Sequence, residues 1–550
     1  MRVGIMIKEF NALDNWELRV IQGLLEIEGL DIALLIKDGR PGTNTGHHRA
    51  RRILGKRLDF GRSAFLLQER IERWGLPGRP RIDRETIFRM LEAVPTIACE
   101  PATRGFWDVF SREDADRVKA FDLDVILRHE FNIVQGEILN AARHGVWSIH
   151  HGDNTVNRGG PAGFWEVVLG LPVVGVTLLQ ITAELDGGLV IDRAYFDQDW
   201  SYVRNNERAL EGSVALLLKN ITLLDNRPFW PSVSPTYDRP LYTVPTMAGM
   251  LRYWKVFFVR SAGTLCRSLS LRLDMVRESW DLYVGQGDML TATLFRSKPA
   301  ARPRGESWSQ PSFFEHLGTR YVFFIGSRGA SVSGEVRCGR LSDRAIVDVV
   351  MLPDIGPTAS LPVVVEEDGE VFLLVYQKSR AALEIYRCLD YPSAWQLHAS
   401  AFAGESLTGL GYYEDDDGLR WLFVNRVVDS YGNFGVSLAI YSIDSLSLNK
   451  VVPHRDNPVS LDCRSAGIAG PVFSKGGKLY RPFRSACGAF NSGEMGIAKI
   501  EVLNLKEYKE EVLFTIEPRF RKGLVSIQHV DQADGAFVID GLSSARFRAP

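Results

Sequence analysis

The chain has 550 residues, 45% of them hydrophobic, too long for one core and enough for two or three separately packed domains. Its 65 basic and 67 acidic residues nearly cancel, which excludes a nucleic-acid or anionic-membrane partner held by overall charge. Six cysteines, Cys99, Cys266, Cys338, Cys388, Cys463 and Cys487, form no CxxC pair; this removes the usual zinc and thioredoxin spacings and predicts free thiols in a reducing compartment.

The first residues, RVGIMI at Arg2 to Ile7, read directly as a strand with no leader pattern ahead of them, so a cytoplasmic location is expected. Asp14 with Glu17 forms a capping box, and Leu18, Ile21, Leu24 and Leu25 recur at helical spacing. DIALLI at Asp31 to Ile36 comes next as a strand, giving a β-α-β unit whose continuous apolar strands predict an α/β sheet covered on both faces. The first turn, KEFNAL, lacks the glycines of a dinucleotide fingerprint. Residues 40 to 82 are basic and glycine-interrupted, suited either to an anionic substrate group or to a solvated insertion. Strand character resumes at Leu123 to Leu127, a helix is expected over Gln135 to His144, and Val146 to His150 reads as a strand. Pro161 suits the first turn of a helix; Val174 to Ile181 and Leu189 to Phe196 flank a Leu-Asp-Gly-Gly turn. The most apolar window, Ala162 to Ile181, holds Glu166 and Pro172, so no membrane insertion is predicted.

A proline-rich connector and a helical stretch, Met247 to Cys266, separate this domain from the C-terminal half, giving expected boundaries of 1–222, 223–275 and 276–550. Beyond Trp280 the period becomes two. A glycine turn leading into an apolar, aromatic strand recurs at Gly318, Gly369, Gly418, Gly477 and Gly535, at spacings of 51, 49, 59 and 58 residues. Five units of that length predict an all-β five-bladed propeller, with a β-sandwich as the alternative.

The densest polar cluster is SIHHGDNTVNRGG at residues 148–160, with GVT at Gly175 to Thr177 and LDGG at Leu185 to Gly188 after it. Histidine exchanges protons near neutrality, and a carboxylate such as Asp186 could orient the ring of His150, as in other histidine–carboxylate pairs. Taken singly, His150 is equally a structural histidine and Asp186 an ordinary turn residue. His150, His151 and Asp153 do not read as a metal site, because successive strand residues face opposite ways.

In order and spacing these segments resemble the active site of the formyltransferase family, which includes glycinamide ribonucleotide, methionyl-tRNA and sugar N-formyltransferases. The resemblance covers roughly residues 1 to 220 and implies an α/β Rossmann-like fold, with 10-formyltetrahydrofolate as formyl donor and no metal. It implies His150 as general acid/base, Asp186 as its carboxylate and a further contact to the donor, and Phe131, Asn132 and Ile133 as the loop holding the pterin through backbone groups. The family's asparagine two places before the histidine is Ser148 here, which becomes the expected oxyanion donor, with Asn154 or His151 as alternatives. Arg158, Asn154 and His151 are the expected substrate contacts. The later repeats, with HRDNPV, RSAG and KLYR between Pro453 and Arg481, resemble the propeller domain at the N-terminus of glucosamine inositolphosphorylceramide transferases, distantly related to arabinanase-type glycosidases. Gln310 and Gln377 stand where such glycosidases would carry carboxylates, which implies carbohydrate binding more than hydrolysis.

Together these resemblances imply formyl transfer onto the amine of an amino sugar, nucleotide- or lipid-linked, in glycan synthesis. The alternative is a lapsed formyltransferase fold that binds carbohydrate with the propeller. No nucleic-acid partner is expected, and a homo-oligomer is compatible with the sequence.

Overall fold

The computed structural model describes residues 1–40, 59–76, 82–105, 107–183, 188–224, 231–233, 236–273, 275–427, 436–487, 493–533 and 535–546. Asp186 and most of the basic stretch between 40 and 82 lie outside them. The chain divides into two compact units, one comprising Met1–Val259 with Asp429–Tyr431 and the other Arg260–Val428 with Gly432–Pro550. The division falls inside the helix Met247–Arg272, within the segment read as the connector.

The first unit is built on a seven-stranded sheet: β1 Arg2–Ile7, β2 Asp31–Asp38, β3 Thr96–Cys99, β4 Val125–Arg128, β5 Val146–His150, β6 Val173–Gln180 and β7 Leu189–Asp197. Their order across the sheet is β7-β6-β5-β4-β1-β2-β3, parallel from β3 through β5 and antiparallel from β5 to β7. From β1 the chain builds outward through β2 and β3, then returns to place β4 on the other side of β1. A sheet that reverses direction in this way opens a crevice at the carboxyl ends of the strands flanking the reversal.

Helix α1, Asn15–Leu25, starts on the expected capping box: Glu17 Oε2 accepts from the Asp14 amide at 2.8 Å. The opposite face of the sheet is covered by the helix Arg112–Lys119 and by a small sheet of Ala102–Arg104, Trp107–Phe110 and Ile133–Gly136; its core includes Met6, Ile36, Val118, Ile126, Ile138 and Val146.

Two expectations are corrected. The helix over Gln135 to His144 is instead the strand Ile133–Gly136 and then one 3₁₀ turn, Glu137–Asn140. Gly136 at φ 99°, where a Cβ would lie 2.6 Å from the Phe110 carbonyl oxygen, turns the chain away from helical geometry. The helix near Pro161 begins only at Phe164, after Gly163 in a left-handed conformation. All six cysteines are free, as expected, with Cys463 and Cys487 bringing their Sγ atoms to 3.0 Å in a buried setting.

The second unit consists of five antiparallel sheets in chain order. Four are Glu306–His316 to Ala345–Met351, Ala359–Glu367 to Ala394–Ala401, Leu407–Glu414 to Val451–Pro453, and Gly467–Ile468 to Tyr508–Ile516. In the remaining sheet the unit's first long strand, Val276–Gln286, pairs along its whole length with its last, Ala536–Arg546. Each repeated glycine sits in the hairpin between consecutive strands with φ between 71° and 80°, a region glycine enters without strain, which is why the residue recurs. The leading strands of neighbouring sheets touch in succession, and Val530–Ala533 touches the first of them, so the series returns on itself. This is the connectivity expected of five propeller blades. No helix among the described residues is long and apolar enough to cross a membrane.

Candidate functional site

Ser148 and His150 occupy alternate positions of β5, so both face the side of the sheet that carries Ile126 and Val146, at its carboxyl edge. Arg128 ends the neighbouring parallel strand β4 one place beyond the pair Leu127–Trp147, level with Ser148. Its Nε donates to Ser148 Oγ at 3.0 Å. The His150 ring is oriented by an Nε2 contact to the Asn157 carbonyl at 2.7 Å. A carbonyl only accepts, so Nε2 carries the proton and Nδ1 is the basic nitrogen. Gly152 permits this arrangement: a Cβ there would stand 2.9 Å from His150 Nε2.

The loop after β5 is held from several directions. Thr177 on β6 donates through Oγ1 to the Gly152 carbonyl at 2.9 Å, and Asn157 Nδ2 donates to Glu166 Oε1 at 3.0 Å. Burial raises the proton affinity of Glu166. Asn154 is buried, and its Oδ1 accepts from Arg193. Arg158 donates from Nε to the Asn154 carbonyl and lays its guanidinium 4.6 Å from the ring centre of Tyr237. The structure thus places Asn154 and Arg158 in the bracing of the loop. His151 follows the end of β5 and sets its ring edge-on to Trp16 at 5.1 Å between ring centres. Burial, reinforced by nearby His150, Arg128 and His129, lowers its pKa from 6.5 to about 3, so it is a neutral ring on the α1 side. Ser148, His150 and Arg128 are brought together; His151 is turned away from them. Asp186 falls in a segment outside the described residues.

The loop expected to hold a pterin is tied down by the protein itself. Phe131 is buried against Phe110, and the carbonyls of Phe131 and Asn132 each accept from Arg128 Nη1 at 2.8 Å. The Asn132 amide donates to Asp108 Oδ2 at 2.9 Å, and Ile133 pairs with Trp107. Each carbonyl retains a second lone pair, so the loop can still accept hydrogen bonds from a ligand, whereas the Asn132 N–H is engaged.

Sequence reasoning missed Arg128. Its signal was a charged residue closing the apolar run Val125 to Leu127, a position more often apolar in a buried parallel strand.

In the second unit Gln310, buried and at φ 56°, accepts from the Leu361 amide at 2.6 Å and donates to the Val332 carbonyl at 3.1 Å. Gln377 donates to the Ile355 carbonyl and accepts from Thr358 Oγ1 at 3.1 Å. Both amides bracket neighbouring backbone segments, and a carboxylate could not make the donated bond.

Residues 300–529 match the family described as glucosamine inositolphosphorylceramide transferase 1, N-terminal. Glucosamine inositolphosphorylceramide transferase 1 of Arabidopsis thaliana is 27% identical over 248 residues, 44% of this chain and 31% of that protein, so the chain spans about a third of the relative's length. Among solved structures, glycinamide ribonucleotide transformylase 1 from Symbiobacterium toebii is similar at a TM-score of 0.28 and 17% identity, covering 42% of this chain and 93% of that one. A thermostable family-43 glycoside hydrolase is similar at a TM-score of 0.33 and 14% identity, covering 46% of this chain and 93% of that one.

Proposed function

We propose that the chain moves a formyl group from 10-formyltetrahydrofolate onto the amine of an amino sugar, nucleotide- or lipid-linked, and that the second unit is a five-bladed propeller that recognises the sugar. The observation that carries this reading is His150 at the carboxyl edge of the sheet, its ring fixed through Nε2 and sharing a face with Ser148 and Arg128. The ordered resemblance of His150, Gly175 to Thr177 and Leu185 to Gly188 to the formyltransferase pattern supports formyl as the group. The match to a transferase whose name contains glucosamine supports an amino sugar as acceptor.

The folate is a co-substrate that brings the formyl carbon. The uncharged amine forms a bond to that carbon, the carbonyl pair moves onto oxygen, and the bond to the donor nitrogen then breaks as the pair returns. His150 Nδ1 takes the proton the amine loses and passes it to the departing nitrogen, a role worth about 10²- to 10⁴-fold in rate. Asp186 stabilises the charged ring in this reading. The carbonyls of Phe131 and Asn132 offer acceptors to the pterin.

The test is calorimetric titration with a stable 10-formyltetrahydrofolate analogue, and then transfer assays on amino-sugar nucleotides. Wild type is expected to bind and turn over, and His150→Ala to bind but lose at least about 10²-fold in transfer rate. Undiminished transfer by His150→Ala removes the assignment. A binding-only protein is the second reading, favoured by the engaged Asn132 N–H and by the two glutamine brackets; it is the outcome if carbohydrate binds and no acceptor is formylated.

A further inference from the structure

A guanidinium has five N–H donors and needs a counter-charge when it leaves water. Elsewhere in the chain Arg19 faces Glu211, Arg40 faces Asp38 and Asp108, and Arg481 faces Glu510. Arg128 has no such partner among the described residues. Its Nε proton goes to Ser148 and its two Nη1 protons to carbonyls, while both Nη2 protons have no acceptor among the described residues. The two carboxylates that act on it through space are already occupied: Asp108 by Arg40 and Asn132, Glu17 by the Asp14 amide and His129. Arg128 is half-buried, and desolvation makes it hold its proton less tightly than usual.

Ser148 completes the arrangement. Its oxygen accepts from Arg128, so its own proton is directed elsewhere. The pair therefore offers three donors, two from Nη2 and one from the hydroxyl, at the carboxyl edge of β4 and β5 and two residues from His150. A guanidinium fork beside a hydroxyl matches a planar carboxylate in the ground state and an alkoxide in a tetrahedral transition state.

We propose that Arg128 and Ser148 form an anion site that takes a small carboxylate and, in the reaction proposed above, the acyl oxygen as it gains charge. The inference rests on that reading for its role in turnover. The site itself is open to test without turnover. When the amine bonds to the formyl carbon the carbonyl pair moves onto the oxygen held by Arg128 and Ser148, and it returns as the bond to the donor nitrogen breaks. A cation here also disfavours a protonated amine in the site, which selects the nucleophilic form of the acceptor.

The experiment is calorimetric titration of the full chain with sodium formate, comparing wild type with Arg128→Met, Arg128→Ala, Arg128→Lys and His150→Ala, each checked for native melting. Formate is expected to bind wild type, to weaken by about tenfold or more in Arg128→Met, and to be largely retained in Arg128→Lys and His150→Ala. Guanidinium ion added to Arg128→Ala should restore part of the binding, which a purely structural arginine would not allow. Where acceptor turnover is measured, Arg128→Met should lower kcat with little change in KM for the amine. Wild type that binds no formate, or a folded Arg128→Met that binds it as wild type does, overturns the site. Formate binding that depends on Arg128 in a chain that formylates no amine keeps the site and removes the formyl-transfer reading.

Discussion

The two units treat polar side chains on their strands differently. In the first, Arg128 on β4 is held by Ser148 and two carbonyls yet keeps donors without acceptors among the described residues, on the same face as His150, whose ring is held through Nε2. In the second, Gln310 and Gln377 each accept one hydrogen bond and donate another to adjoining segments of their own unit. Polar residues inside a protein are therefore not equally informative about function. A polar group that ties two backbone segments together through both its donor and its acceptor is architecture, and one with donors left over beside other polar side chains is a place for a ligand.

The contrast can be broken by substitution, beginning with the largest expected loss of stability. Arg481 is fully buried and meets Glu510 at 2.8 Å and 2.6 Å through Nε and Nη2. Arg481→Met leaves Glu510 with the Tyr508 hydroxyl but no counter-charge and should cost about 3–5 kcal/mol in urea unfolding of the second unit, with the double replacement Arg481→Met and Glu510→Met recovering most of it. A loss within error would show that this network does not hold its blade. Gln310→Ala should cost about 1–3 kcal/mol, since the Leu361 amide and Val332 carbonyl lose their partner, and should leave the first unit's ligand binding unchanged. If Gln310→Ala instead abolished carbohydrate binding without destabilising the unit, the contrast would fail.

The smallest effect is a difference in the sign of pH dependence. His151 has a folded pKa of about 3 against 6.5, so below about 6.5 the unfolded chain binds the extra proton and the contribution to stability is lost as pH falls toward 3. Asp531 is the reverse: burial raises its pKa from 3.8 to about 7, so its contribution is present below 3.8 and lost as pH rises through 7. Unfolding measured across pH 4 to 8 should show a flatter acid limb in His151→Phe and a flatter neutral limb in Asp531→Asn. Unchanged slopes in both would mean that neither group titrates with folding.

Much of the fold was readable from sequence because the signals were local. The capping box at Asp14, the strand ending at His150 and the hairpin glycines from Gly318 to Gly535 each depend on a few adjacent residues. The parts that were not readable depend on partners distant in the chain. Gln135 to His144 has helical composition, but pairing of Ile133–Gly136 with Trp107–Phe110 and the turn at Gly136 override it. Asn154 and His151 carry the residue types of a site, and only Arg193 and Trp16, far away in sequence, show where those side chains lie. Arg128 was hidden for the same reason: nothing near it in sequence shows that no carboxylate among the described residues meets it.

Pairing between Val276–Gln286 and Ala536–Arg546 makes the second unit a structure that its own synthesis delays. The earlier strand emerges from the ribosome with its register partner still to be made. At about 5–20 residues per second the wait is on the order of tens of seconds. During that interval an apolar strand edge is open to mispairing. Folding of the ring is thus timed by its last strand, and a ribosome pause or truncation before Ala536 leaves every earlier sheet without closure.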